Sequence, residues 1–186
     1  RLCQLDALAH ALAVGADALV GGVLEIDVLE RRHGRVGRFA IAETVAERWP
    51  DRGLWPDDAA ARAHARSVSA EMHSGFGALR NELPMNCRAM GRQVRLSDEA
   101  LADIRRIQSI WADCAARYGN GGWLFGRFGI ADAMYAPVVF RFRTYGVDIA
   151  KSAGHYAERV LESRAIQNWL RAAESETEVV EKDEAG

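Results

Sequence analysis

The sequence predicts an all-α protein, a bundle of about five or six helices joined by short connections. Two observations support this fold class. Ala, Leu and Arg dominate the composition, whereas only 4 of the 186 residues are Pro, and these three abundant residue types lose little side-chain entropy in a helix. Apolar residues also recur at three- and four-residue steps after residue 38, which is the spacing of one helix face.

The first 38 residues are harder to assign. Residues 2–12 follow helical spacing, glycines then interrupt the pattern, and residues 23–29 have the composition of a short strand. Residues 30–38 are basic and contain glycine, which is typical of a loop. No continuous helical pattern therefore covers this segment.

The helices expected after residue 38 are separated by clear start and stop signals. Pro50 and Gly53 end the first one, Ser97 is the N-cap of the third, and glycines follow Tyr118. Gly75 and Gly77 predict a bend within the second helix. The expected helices span residues 39–49, 57–81, 98–118, 130–145, 152–163 and 164–174.

Two of these helices have predicted buried stripes, and a third is apolar nearly all round. Because it has no polar face, residues 130–145 are expected to form the central helix. The stripe of the second helix comprises Ala61, His64, Ala65, Val68, Met72, Phe76 and Leu79. The stripe of the third helix comprises Leu101, Ile104, Ile107, Trp111, Cys114 and Ala115.

Charge and composition argue against several classes of partner. The net charge of the chain is -2, and the sequence contains no basic stripe of the kind that nucleic acid binding needs. The most apolar stretch, residues 8–28, contains charges and has no signal-peptide pattern, so no membrane association is expected. The three cysteines are widely spaced, which favours free thiols in the cytoplasm. The five histidines show no metal-ligand spacing, so no metal is expected.

A carboxylate stands alone at the start of the central helix. Asp132 lies three residues after Gly129, where its side chain can accept hydrogen bonds from the free N–H groups of the first turn. Gly is an adequate N-cap residue and costs only a few tenths of a kcal/mol relative to Ser. Gly129 and Asp132 are therefore predicted to form a structural cap.

The segment around this cap resembles a known family. Residues 123–133 (Trp-Leu-Phe-Gly-Arg-Phe-Gly-Ile-Ala-Asp-Ala) are similar to the C-terminal signature of glutathione S-transferases, in which Ser or Thr usually stands at the position of Gly129. Residues 39–43 with 48–50 resemble the last helix of that family's thioredoxin-like domain. Residues 53–56 resemble its linker, and residues 165–170 resemble its closing helix.

The resemblance implies a domain organisation as well as a fold. Residues 39–53 would be the last thioredoxin-like helix and the linker, and residues 54–175 the C-terminal helical domain. Residues 1–38 would be an incomplete remnant of the thioredoxin-like domain, either truncated or frame-shifted. Residues 176–186, the acidic tail, are expected to be disordered.

A second stretch carries the resemblance to the site. Residues 71–76 (Glu-Met-His-Ser-Gly-Phe) are similar to a run in bacterial beta-class glutathione transferases, whose His points toward the glutathione sulfur. His73 would then support catalysis, because an imidazole nearby favours the thiolate. A packed, structural His is the alternative. Candidates for the wall of an electrophile pocket, which core packing explains equally well, are Met72, Phe76, Phe140, Arg141 and Tyr145.

The resemblance implies glutathione and a hydrophobic electrophile as substrates and a homodimer as the assembly. Other expected features of the family are lacking. Gly37 and Arg38 stand where the family has an acidic residue and a Ser that bind glutathione. No Val-Pro pair occurs before them in the chain. Cys3 has no Pro three residues after it, so it does not form a Cys-x-x-Pro motif. We therefore expect impaired conjugation activity.

Two alternatives to an enzyme remain. The first is a non-catalytic helical docking module that uses the apolar face left by the missing domain. The second is an inert gene fragment, which would expose Trp49, Leu54 and Trp55.

Overall fold

The computed structural model describes residues 38–119, 121–175 and 184–186. Their regular secondary structure is helical, which confirms the all-α fold class. The seven α-helices of these residues, accompanied by a 3-10 turn at Pro50–Arg52, are α1 (Arg38–Arg48), α2 (Ala59–Ser74), α3 (Gly77–Glu82), α4 (Asp98–Tyr118), α5 (Ile130–Thr144), α6 (Lys151–Glu162) and α7 (Arg164–Ser175). The remnant predicted for residues 1–38 lies almost wholly outside the described residues.

Helix α5 is the centre of the bundle, as predicted. It packs against α2 and α6, and α4 packs against α3 and α6. The core is organised around Trp111 of α4, whose ring centroid lies 6.2 Å from that of Tyr135, 5.5 Å from that of Phe142 and 5.0 Å from that of Tyr156. Aromatic pairs at these separations add to the stabilisation from apolar burial.

The predicted second helix is two helices, so the prediction of one continuous helix over residues 57–81 was wrong. The predicted bend is a complete break, at Gly75 and Phe76, where Phe76 adopts the left-handed region with φ 56°. The start of α3 is capped from another helix, because the Asp103 carboxylate accepts the Leu79 N–H at 3.0 Å. This long-range cap is what the sequence pattern could not show.

The predicted stripe of α4 also needs correction. Ile104, Ile107, Trp111 and Cys114 are buried, together with Ile110 and Ala100, but Leu101 is 37% exposed and Ala115 is exposed. The buried face is rotated by one residue at its first turn, from Leu101 to Ala100. In α2, the predicted stripe residues are buried except His64, which is partly exposed.

The linker is buried rather than exposed. Leu54 and Trp55 are only 6% and 8% exposed, which contradicts the exposure that the inert-fragment hypothesis requires of them. The Trp55 indole N–H donates to Glu43 Oε2 at 3.2 Å. Glu43 also accepts two hydrogen bonds from Arg66, each 2.9 Å long, and the Arg66 guanidinium lies 5.5 Å from the Trp55 ring centroid. This cluster fastens α1 to α2.

Candidate functional site

His73 is the exposed member of the predicted site. It lies in the last turn of α2, and its ring centroid is 6.4 Å from that of Phe39, the second residue of α1. The backbone beneath it is held by Arg80 of α3, whose Nη1 donates to the carbonyl oxygens of Met72 at 3.3 Å and His73 at 3.2 Å. The imidazole therefore sits at the junction between α1 and the rest of the bundle.

The two neighbours of His73 in the predicted site face inward. Met72 is 6% exposed and Phe76 is 7% exposed, and both belong to the hydrophobic core. Their burial explains why this part of the chain keeps one orientation, with His73 outward. An apolar electrophile could reach these side chains only if the core opened around them.

The three candidates at the C-terminal end of α5, of which Tyr145 is the residue that follows the helix, are buried as well. Phe140 packs on Trp169 with ring centroids 5.3 Å apart, and Tyr145 is 7% exposed. Arg141 is 2% exposed and donates to the carbonyl oxygens of Leu83 and, at 3.5 Å, Arg80. A cation beside the last carbonyl groups of a helix interacts favourably with the helix dipole. Arg141 is thus placed to stabilise the C-terminal end of α3.

Asp132 holds the entry to α5. Its carboxylate is 1% exposed and accepts the Gly129 N–H at 2.9 Å and the Leu124 N–H at 3.0 Å. Gly129 has no side-chain oxygen to return the bond, but the linker supplies another acceptor, since the Ile130 N–H donates to Leu54 O at 3.1 Å. The cap therefore binds the helix start, the preceding loop and the linker together.

The departure of Gly129 from the family's Ser or Thr has a steric reason. A Cβ at this position would lie 2.7 Å from Leu54 O, which belongs to the backbone and cannot rotate away. We expect Gly129→Ala to destabilise the fold by about 1–3 kcal/mol because of overpacking. Urea unfolding measures this, with Gly154→Ala as the control.

Gly154 lies within α6, where an added Cβ meets nothing within 4 Å. Ala there should stabilise the protein by about 0.5–1 kcal/mol, because Ala is the better helix former. Equal effects from the two substitutions would contradict the steric explanation for Gly129.

The cap also predicts a pH dependence of stability. Burial raises the pKa of Asp132 from its ordinary 3.8 to about 7, against the opposing effect of the backbone N–H groups. Between about pH 4 and pH 7 the folded state then binds the proton more tightly than the unfolded state. The free energy of unfolding should therefore fall as pH rises through this window and level off above it. Urea unfolding of the wild type and Asp132→Asn, compared across the window, should show a stability of the wild type relative to the variant that falls as pH rises, because only the wild type carries the titrating carboxyl.

Sequence reasoning missed a clamp on the linker. Arg127 donates from Nε to Gly53 O at 3.0 Å, and from Nη2 to Trp55 O at 3.3 Å and to Asp57 Oδ2 at 3.0 Å. A charged residue in the otherwise apolar stretch 123–128 was the available signal. These bonds, with that of Ile130, hold the linker in one path over the start of α5.

The described residues offer little room for other chemistry. A recess between the linker and α5, lined by residues such as Pro56, Phe125 and Arg127, is partly open to solvent and has a volume of about 220 Å³, which is smaller than most small-molecule sites. Burial, with the nearby Asp113 and Asp132 carboxyls, raises the pKa of Cys114 to about 12, so this thiol is a poor nucleophile. Over the described ranges, no three His, Cys, Asp or Glu side chains come together as metal ligands.

A linker clamped over a capped central helix, with an exposed His at the end of α2, defines an all-helical domain. Residues 57–172 match the family described as Glutathione S-transferase, C-terminal domain. Because this match covers more than half of the chain, the protein belongs to the glutathione S-transferase family. No curated protein matches the chain. Among the helices described, none has the length and apolar character to cross a bilayer.

Proposed function

We propose that this protein conjugates glutathione to a hydrophobic electrophile, with the imidazole of His73 beside the thiol. The family implies glutathione as the co-substrate. The observation that supports a site at His73 is its exposure at the α1–α2 junction, next to Phe39. By resemblance, α1 is the last helix of the glutathione-holding domain, so this junction would face the bound thiol.

The proposed chemistry uses a positioned imidazole beside the bound thiol. A donor or positive charge near the sulfur favours the thiolate, which is the nucleophile. The thiolate forms a carbon–sulfur bond with the electrophile, and the leaving group departs with the electron pair of its bond to carbon. His73 would act on the sulfur without forming a covalent bond itself.

His73→Ala should lower the rate of conjugation of a chromogenic aryl halide by about 10-fold or more, because the thiolate loses a stabilising partner. Stability should change by less than about 0.5 kcal/mol, since the side chain is exposed. His155→Ala is the matched control, because the His155 side chain is 96% exposed on α6. Equal rates for the wild type and both variants would refute the role of His73.

A non-catalytic docking domain is the alternative function. It is favoured by Gly37 and Arg38, which replace the residues expected to grip glutathione. Calorimetry of the purified chain with glutathione separates the two proposals. Absence of binding at millimolar glutathione would eliminate the transferase and leave the docking domain, whereas binding would support the transferase. Light scattering on the same sample would test the proposed homodimer.

A further inference from the structure

The loop after α3 holds a carboxylate from the far end of the sequence. Glu184 accepts the Asn86 Nδ2–H at 2.8 Å through one oxygen and the Arg92 Nη2–H at 2.6 Å through the other. Arg92 also donates to the carbonyl oxygen of Gly186. Both carboxylate oxygens of Glu184 thus accept hydrogen bonds, and the Arg92 guanidinium also binds the backbone two residues later, at Gly186.

Hydrogen bonds that do not involve residues 184–186 fix the conformation of this loop. Asn86 Oδ1 accepts the N–H groups of Arg88 and Ala89, each at 3.1 Å, which leaves the amide Nδ2 to face Glu184. Thr144 lies at the end of α5, and its hydroxyl donates to Asn86 O at 2.7 Å. The backbone carbonyl oxygen of Thr144 accepts the backbone N–H of Arg92 at 3.0 Å. Both donors to Glu184 are therefore fastened to the central helix.

Packing and burial add to the charge contact. Ala185 is partly buried against the hydrophobic core. Arg92 binds the residues on either side of it, Glu184 and Gly186. The side chains of Arg92 and Glu184 are 30% and 31% exposed. A charge-assisted pair that is partly shielded from water is stronger than the usual surface ion pair.

We propose that residues 86–93 form a recognition surface for an acidic peptide segment, and that its occupant is the chain's own segment 184–186. Docking fastens residues 184–186 to the bundle, where the loop after α3 meets the end of α5. The proposal is independent of glutathione chemistry. Because Glu184 and Arg92 form the ion pair of this contact, reversing either charge should release the segment.

Backbone ¹⁵N relaxation of the full chain tests the proposal. In the wild type, the amides of Ala185 and Gly186 should have order parameters of about 0.85, like those of the helices. Arg92→Glu should lower these order parameters below about 0.6. The double exchange Arg92→Glu with Glu184→Arg should restore them. Arg95→Glu is the control, because Arg95 is exposed in the same region and carries the same charge change.

The proposal is overturned by order parameters below about 0.6 in the wild type, or by values that Arg92→Glu leaves unchanged. It is also overturned if Arg95→Glu releases the segment as fully as Arg92→Glu, because net charge alone would then explain the effect. Unchanged chemical shifts for α4 and α5 would show that each variant is folded. Should Arg92→Glu fail to fold, Glu184→Gln tests the same contact from the other side and should give the same loss of order.

Discussion

Asp132→Ala is expected to lower the free energy of unfolding by about 2–5 kcal/mol, because it leaves two buried N–H groups without an acceptor. Each unsatisfied buried donor costs about 1–3 kcal/mol, and the Gly129 and Leu124 amides both depend on this carboxylate. The loss should unfasten the loop before α5 as well as the helix start. Urea unfolding near pH 7, followed by far-UV circular dichroism, measures the effect.

Asp132→Asn refines this test. The amide keeps one oxygen acceptor but presents an N–H₂ group to a second donor, so an intermediate loss is expected. Asp98→Ala is a useful control, because Asp98 is an exposed acidic residue in the first turn of α4. Removing it should cost about 0.3–1 kcal/mol through the helix dipole alone. A loss of that size for Asp132→Ala too would mean that the cap contributes only through its charge.

Arg141→Met should lower the free energy of unfolding by about 2–4 kcal/mol and leave conjugation per folded molecule unchanged. Met replaces the length of the side chain but not its donors, so the Leu83 and Arg80 carbonyl oxygens lose their buried partner. The expected result separates two interpretations of Arg141. A residue that ends α3 affects stability, whereas a residue that lines a substrate pocket affects KM.

Arg143→Met is the matched control for Arg141→Met. Arg143 lies on the same helix two residues later and is partly exposed, so its loss should change stability by less than about 0.5 kcal/mol. Thermal unfolding and steady-state kinetics on the three proteins would decide the matter. An Arg141→Met protein of normal stability with a raised KM for the electrophile would return Arg141 to the substrate site.

The linker contacts bear on how the proposed site is held. Glu43, Trp55 and Arg66 join α1 to α2, and the Arg127 clamp fixes the chain between them. Phe39 and His73 are therefore positioned by contacts within residues 38–127. A ligand that contacts Phe39 and His73 would therefore bind at a junction of α1 and α2 whose geometry is fixed by the helical bundle.

Local pattern was enough for the fold class, for the order of the helices and for the family. Helical spacing reports which residues share a face, and the Gly129–Asp132 pair and the N-cap at Ser97 act over three or four residues. The structure shows the Ser97 cap, since the hydroxyl accepts the Ala100 N–H at 3.1 Å. Such features depend on near neighbours in the chain, so the sequence alone determined them.

Contacts between distant residues decided the rest. Asp103, 24 residues beyond Leu79, caps the helix that follows the break at Phe76. Arg141 is polar yet buried because its donors reach the carbonyl oxygens of Arg80 in α3 and of Leu83, the residue after α3 and 58 residues earlier in the chain. A side chain's burial depends on what packs over it, and periodicity carries no information about such partners. Helical spacing had already left His73 off the stripe that contains Met72 and Phe76, whereas only the tertiary structure showed that Arg141 is buried.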